Sequence, residues 1–108
     1  MYKKFKIILT PFPFTDLSAS KVRPAVIVSD KALGDDIVVS FISSDYRKKS
    51  ALDLKIEKTP KNGLKKNSII KISKLATLDK KIILGELGKI NKKIQNEVDK
   101  RIKILFDL

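Results

Sequence analysis

A chain of 108 residues is the length of one domain and too short for two ordinary ones. Its 24 Lys plus Arg against 12 Asp plus Glu give a formal charge of +12, and 43% hydrophobic residues suffice for a small core. The absence of Cys and His excludes disulfides, thiolate metal centres, zinc enzymes, cysteine nucleophiles, His-based triads and nucleases that work through paired histidines.

Lysines ahead of the apolar Ile7-Ile8-Leu9 imitate a secretory signal, but Thr10, Pro11, Pro13 and Asp16 cut that run far short. No stretch approaches the roughly 18 apolar residues of a membrane span, so a cytoplasmic protein with no membrane partner is expected. Phe5 to Leu9 reads as an opening strand ended by the Pro11/Pro13 pair, and Thr15 to Lys21 as a polar loop. Pro24 to Ser29 is a second strand and Asp36 to Ile42 a third, with Gly34-Asp35 as turn chemistry before it. Ala51 to Ile56 alternates apolar and polar side chains, as a strand with one wet face does. Asn62-Gly63 marks a turn, followed by strands at Ser68 to Ile72 and Lys81 to Leu87.

From Asn91 the pattern changes. Ile94, Val98, Ile102 and Leu105 recur every three or four residues among charged ones, which predicts an amphipathic helix with Asn91 as its N-cap. The expected architecture is a single mostly β domain over residues 1–108, a small barrel of about six short strands with the C-terminal helix packed on it.

The charge is uneven. Residues 1–45 carry six basic and five acidic side chains, residues 46–108 carry 18 and seven, and only Arg23, Arg47 and Arg101 are arginine. Such a surface attracts polyanions, whether RNA, DNA or an acidic protein segment.

Pro11-Phe12-Pro13-Phe14-Thr15-Asp16 followed by Ser18-Ala19-Ser20-Lys21-Val22-Arg23-Pro24-Ala25-Val26-Ile27-Val28-Ser29 resembles the amino-terminal signature of the MazF/PemK toxins, the toxin halves of type II toxin–antitoxin pairs. The resemblance continues through Ile42-Ser43-Ser44, Gly63-Leu64, Ser68 to Lys71 and Lys74 to Asp79, and ends at Leu87-Gly88 and the final helix. It implies the SH3-like β barrel shared by the MazF, PemK and CcdB toxins, a homodimer, and a sequence-specific, metal-independent endoribonuclease that cuts single-stranded mRNA and so inhibits translation and growth. It also implies a cognate antitoxin whose acidic, disordered tail covers the RNA groove. No cofactor and no metal ligands are expected. Relatives often carry Gly-Asp before the first strand, where this chain has Phe5-Lys6.

Such cleavage uses the ribose 2′-OH as nucleophile and leaves a 2′,3′-cyclic phosphate and a 5′-OH. The site must take the 2′-OH proton, stabilise charge on the phosphorane oxygens and help the 5′-oxygen leave. Arg23 matches the family's catalytic arginine, and its planar fork can hold two phosphate oxygens. The resemblance puts Ser43 at the catalytic Thr/Ser position, with Ser44 as its substitute one residue on. The loop before Arg23 offers neither carboxylate nor imidazole, which leaves Asp16 and Asp45 as candidates for a general base or for an acid that orients Arg23. Lys21, Ser20, Ser44, Tyr46 and Arg47 are the candidate RNA contacts, while Phe12 and Phe14 suit a core or dimer contact. Two other functions fit a basic β barrel: a non-catalytic nucleic-acid-binding module, and a gyrase poison of the CcdB kind. The second is disfavoured because those toxins end in Trp-Gly-Ile and this chain ends in Phe106-Asp107-Leu108.

Overall fold

The computed structural model describes residues 2–11, 21–30, 34–47 and 50–108. The elements in chain order are β1 (Lys6–Pro11), β2 (Val22–Ile27), β3 (Asp36–Ser43), β4 (Leu54–Ile56), β5 (Ser68–Asp79), a 3₁₀ turn at Lys80–Ile82, β6 (Gly85–Lys89) and α1 (Lys92–Leu105). The strands form one antiparallel sheet in the order β4-β5-β3-β2-β1-β6. The sheet curls into a half-barrel under α1, the mostly β class expected.

Strand periodicity sorts the apolar residues into two cores. Ile7, Val26, Ile42, Ile70 and Ile72 point to one face, where Val98 of α1 is buried among them and Ile94, Ile102 and Leu105 pack alongside. Ile8, Ala25, Ile27, Val39 and Phe41 point to the other face. The stripe read from the sequence is thus the face that α1 lays on the sheet. Asn91 caps the helix as expected, its Oδ1 accepting from Ile94 N at 2.9 Å.

Three elements differ from the sequence reading. The apolar run Ile82-Ile83-Leu84 is not a strand, because Asp79 caps a 3₁₀ turn by accepting from Lys81 N at 2.9 Å and pairing resumes only at Gly85. β4 is shorter than expected, because Asp53 draws the chain into a turn by accepting from Ser50 N. β5 is longer, running on to Asp79 through a bulge against β3. There Ser40 faces Leu75 while Ile42 faces Ile70, which inserts three extra residues of β5 across the bulge. An odd insertion reverses the facing. Ile70 and Ile72 belong to the core under the helix, whereas Leu78, also even-numbered, belongs to the opposite core. Ser40 Oγ holds the bulge by donating to Ile72 O at 3.2 Å.

Phe5 enters β1 with φ of 74°, in the left-handed region that suits glycine. Its N–H donates to Ile27 O at 2.7 Å and its carbonyl accepts from Ile90 N at 3.2 Å, bonds that hold it there. Among the described residues no helix is long and apolar enough to cross a membrane.

Candidate active-site cleft

The site is built at the ends of β2, β3 and β4 and at the bulge of β5. β2 pairs with β3 through Ala25 and Phe41, and continuing that register by two residues sets Arg23 opposite Ser43. Arg23 and Ser43 line one cleft of ≈ 290 Å³ together with Asp45, Asp53, Lys71 and Lys74. Arg23 is partly buried, its Nε fully so, which fixes the guanidinium at the cleft wall rather than leaving it to sweep through solvent.

Ser43 is the last residue of β3, and its Oγ accepts from Asp45 N at 3.1 Å, a turn in which the serine closes the strand. That bond uses an oxygen lone pair and leaves the hydroxyl hydrogen to donate into the cleft. Asp45 in turn accepts from Arg47 three times, from the backbone N at 2.9 Å and from Nε and Nη2 at 3.0 Å each. This fork raises the Arg47 pKa, first through the hydrogen bond to Asp45 and then through its charge. Among the described contacts, Asp45 thus orients Arg47.

The opposite wall carries residues that the sequence did not single out. β4 pairs with β5 through Leu54 and Ile70, so the next step outward sets Asp53 against Lys71. Lys71 Nζ lies 3.0 Å from Asp53 Oδ2, with side-chain exposures of 14% and 1%. Ser50 donates to the same carboxylate from its N at 2.7 Å and its Oγ at 3.0 Å. Burial alone would push the Asp53 carboxyl up. Hydrogen bonds from the Ser50 amide, Lys71 and the Ser50 hydroxyl, with the charge of Lys71, outweigh it and hold Asp53 below its ordinary value. From the helix, Arg101 Nη1 donates to Leu52 O at 3.2 Å and also to Asp53 O.

On the far side of Arg23 lies a second hollow of ≈ 440 Å³, which holds Ser44, Lys65 and Lys66. Successive strand residues point to opposite sides, so Ser43 and Ser44 face different hollows that Arg23 and Ile42 share. Lys21, Tyr46 and Arg47 are exposed and line neither hollow. Asp16 and Ser20, like Phe12 and Phe14, lie outside the described residues. The cleft therefore gathers Arg23, Ser43 and Asp45 and adds Asp53, Lys71 and Lys74. The signal for Lys71 was a lysine amid Ile69, Ile70 and Ile72, but its partner stands 18 residues away and only the strand register reveals it. Chemically, the cleft lines a space roomy enough to admit a phosphate group with cations and hydroxyl groups, and its two carboxylates are already engaged by cations.

The model of one family, the PemK-like, MazF-like toxins of type II toxin–antitoxin systems, matches residues 3–106. No curated protein sequence matches the chain. Among solved structures, an endoribonuclease in complex with its cognate antitoxin from a mycobacterial species aligns with a TM-score of 0.78 at 16% identity, over 98% of this chain and 95% of that one. The Mycobacterium tuberculosis toxin MazF-mt6 aligns with a TM-score of 0.76 at 17% identity, over 95% and 97%. MazF from Deinococcus radiodurans gives 0.78 at 12%, over 98% and 96%. At these identities the likeness is one of fold.

Proposed function

The chain belongs to the PemK-like, MazF-like toxins of type II toxin–antitoxin systems, and from that premise we propose that it is a sequence-specific endoribonuclease that cuts single-stranded mRNA without a metal. The observation that carries this reading is the meeting of Arg23 and Ser43 in one cleft with the cations Lys71 and Lys74.

In the proposed reaction the 2′-oxygen forms a bond to the adjacent phosphorus as its proton passes to solvent water. The P–O5′ bond then breaks, the 5′-oxygen takes up a proton, and a 2′,3′-cyclic phosphate and a 5′-OH remain. Arg23 pairs with two phosphorane oxygens, and the Ser43 hydroxyl donates to one of them or orients the 2′-OH. Asp45 and Asp53 are held by Arg47 and Lys71, so electrostatic stabilisation and positioning carry most of the acceleration. Lys21, Ser20, Ser44, Tyr46 and Arg47 hold the strand on either side of the cut.

A cognate antitoxin with an acidic disordered tail is the proposed partner, supported by the charge of +12 and by the mycobacterial relative in complex with its own. The proposal includes a homodimer acting in the cytoplasm. The engagement of both cleft carboxylates is the observation that favours the rival reading, a barrel that binds nucleic acid without cutting it.

The test is incubation of long single-stranded RNA with excess EDTA and either the purified protein or its Arg23→Ala variant. Discrete cuts with 5′-OH ends, slowed at least about 100-fold in the variant, are expected. Intact RNA across varied sequences refutes the proposal, and binding without cutting selects the rival.

A further inference from the structure

A second concentration of positive charge lies where β4, the turn at residues 59–62, the end of β6 and the first turn of α1 meet. They wall a groove of ≈ 970 Å³ lined by five exposed lysines, Lys55, Lys61, Lys89, Lys92 and Lys93. Among the described residues none of the five makes an ion pair. Glu57 is the only acidic side chain among the described residues of the lining. Lys92 and Lys93 stand at the end of α1 that disfavours cations, with no acidic residue in that turn. The fold holds five like charges together against their repulsion, which an anionic ligand relieves.

The groove is linked to the cleft by way of the second hollow. Arg23 is common to the cleft and to the hollow that holds Lys65 and Lys66. That hollow and the lysine groove lie on two sides of one turn, with residues 63–66 on the first and residues 59–62 on the second. β6 borders both, through Leu87 and Lys89. Lys65 and Lys66 thus stand between Arg23 and the five lysines.

We propose that this groove is a second RNA-backbone site, which holds the part of a long single strand that runs on from the cleft over the turn at residues 59–66. The inference rests on the ribonuclease reading above. Lysines are mobile point charges that suit phosphates along a flexible strand and read no sequence. A docked protein segment draws on apolar anchors, and none of the large hydrophobic side chains exposed among the described residues lines this groove.

The test compares the wild type with the quadruple variant K61Q/K89Q/K92Q/K93Q, after thermal melts show that both fold. The probes are a 2′-O-methyl RNA of about 40 nucleotides, which has no free 2′-OH to react, and fragments of about seven. A single strand contributes a salt slope of about 0.7 per phosphate contact, so losing four contacts flattens the slope for the long probe by about 3, and between 50 and 200 mM salt the wild-type affinity falls about 50-fold further than that of the variant. The short fragments bind both proteins alike. Parallel salt slopes on the long probe, equal losses at both lengths, or no binding of the long probe by the wild type overturn the inference. Loss of poly-glutamate binding with the RNA slope intact also overturns it, in favour of an acidic protein partner. Cutting of unmodified RNA is scored separately. A wild type that cuts nothing yet shows the length-dependent difference loses the ribonuclease reading and keeps the surface.

Discussion

Replacement of Asp53 by Asn removes one charge from the cleft wall and changes little else. Asn keeps the shape and can still accept from Ser50, but Lys71, with a side chain only 14% exposed, is left against a neutral amide. Removing one partner of a buried pair costs about 3–5 kcal/mol, and the solvent still open to Lys71 brings the expected loss to about 2–3 kcal/mol. For a domain of this size that lowers the melting temperature by about 10–20 °C. The pH dependence follows from the depressed folded-state value of Asp53. Its stabilisation is fully present above the unfolded carboxyl value of about 3.9 and is lost as pH falls through the lower folded value. The stability gap between wild type and Asp53→Asn is therefore flat from pH 7 to about 5 and closes below about 4. Urea unfolding followed by circular dichroism at stepped pH measures it. A gap as large at pH 3 as at pH 7, or no gap at neutral pH, refutes the account. Adding Lys71→Met to the variant should restore part of the loss, since it removes a largely buried ammonium that has lost the Asp53 charge.

Two further substitutions test the backbone. A Cβ on Gly88 would sit 2.1 Å from Lys61 O and 2.6 Å from Asn62 C, so Gly88→Ala must displace the turn and its Lys89 N–Lys61 O bond of 3.0 Å, at about 1–3 kcal/mol in chemical denaturation. Gly85→Ala, with nothing within 4 Å, is the control and should stay within about 0.5 kcal/mol of wild type. At Phe5 the usual order of Ala over Gly should reverse. Both substitutions lose the ring, but only Gly is at ease at φ 74°, so Phe5→Gly should unfold at higher denaturant than Phe5→Ala by about 1 kcal/mol. An Ala variant as stable as the Gly one would show that Phe5 carries no strain.

Local chemistry made much of this fold legible. Asn91 and the stripe Ile94, Val98, Ile102, Leu105 specify a helix start and its buried face within 15 residues, and the structure has both. Strands β1 to β3 announce themselves through β-branched runs between Pro, Gly and Asp. The run Ile82-Ile83-Leu84 misled because hydrophobicity says nothing of hydrogen bonding, and the Asp79 side chain had already committed Lys81 N to a turn. Arg23 and Ser43 were found through the block of residues around them, whereas the bulge of β5 and the Asp53–Lys71 pair depend on which strand neighbours which and in what register. No window of sequence contains that information, so the second wall of the cleft came only from the fold.

The Arg101 guanidinium holds Glu97 on its own helix at 3.1 Å and reaches the carbonyls of Leu52 and Asp53 at the entry to β4. The Asp53 amide is itself tied to Ser50 O at 3.1 Å. The segment at residues 50–53 is therefore tied on two sides, to the C-terminal half of α1 through Arg101 and to β5 through the Asp53–Lys71 pair. In hydrogen exchange its amides are expected to open when the helix lifts, ahead of those of β1, β2 and β3. Fraying at the carboxyl terminus is thus felt as loosening at the wall of the cleft, a route by which a change confined to the last turns of the chain reaches Lys71 without touching it.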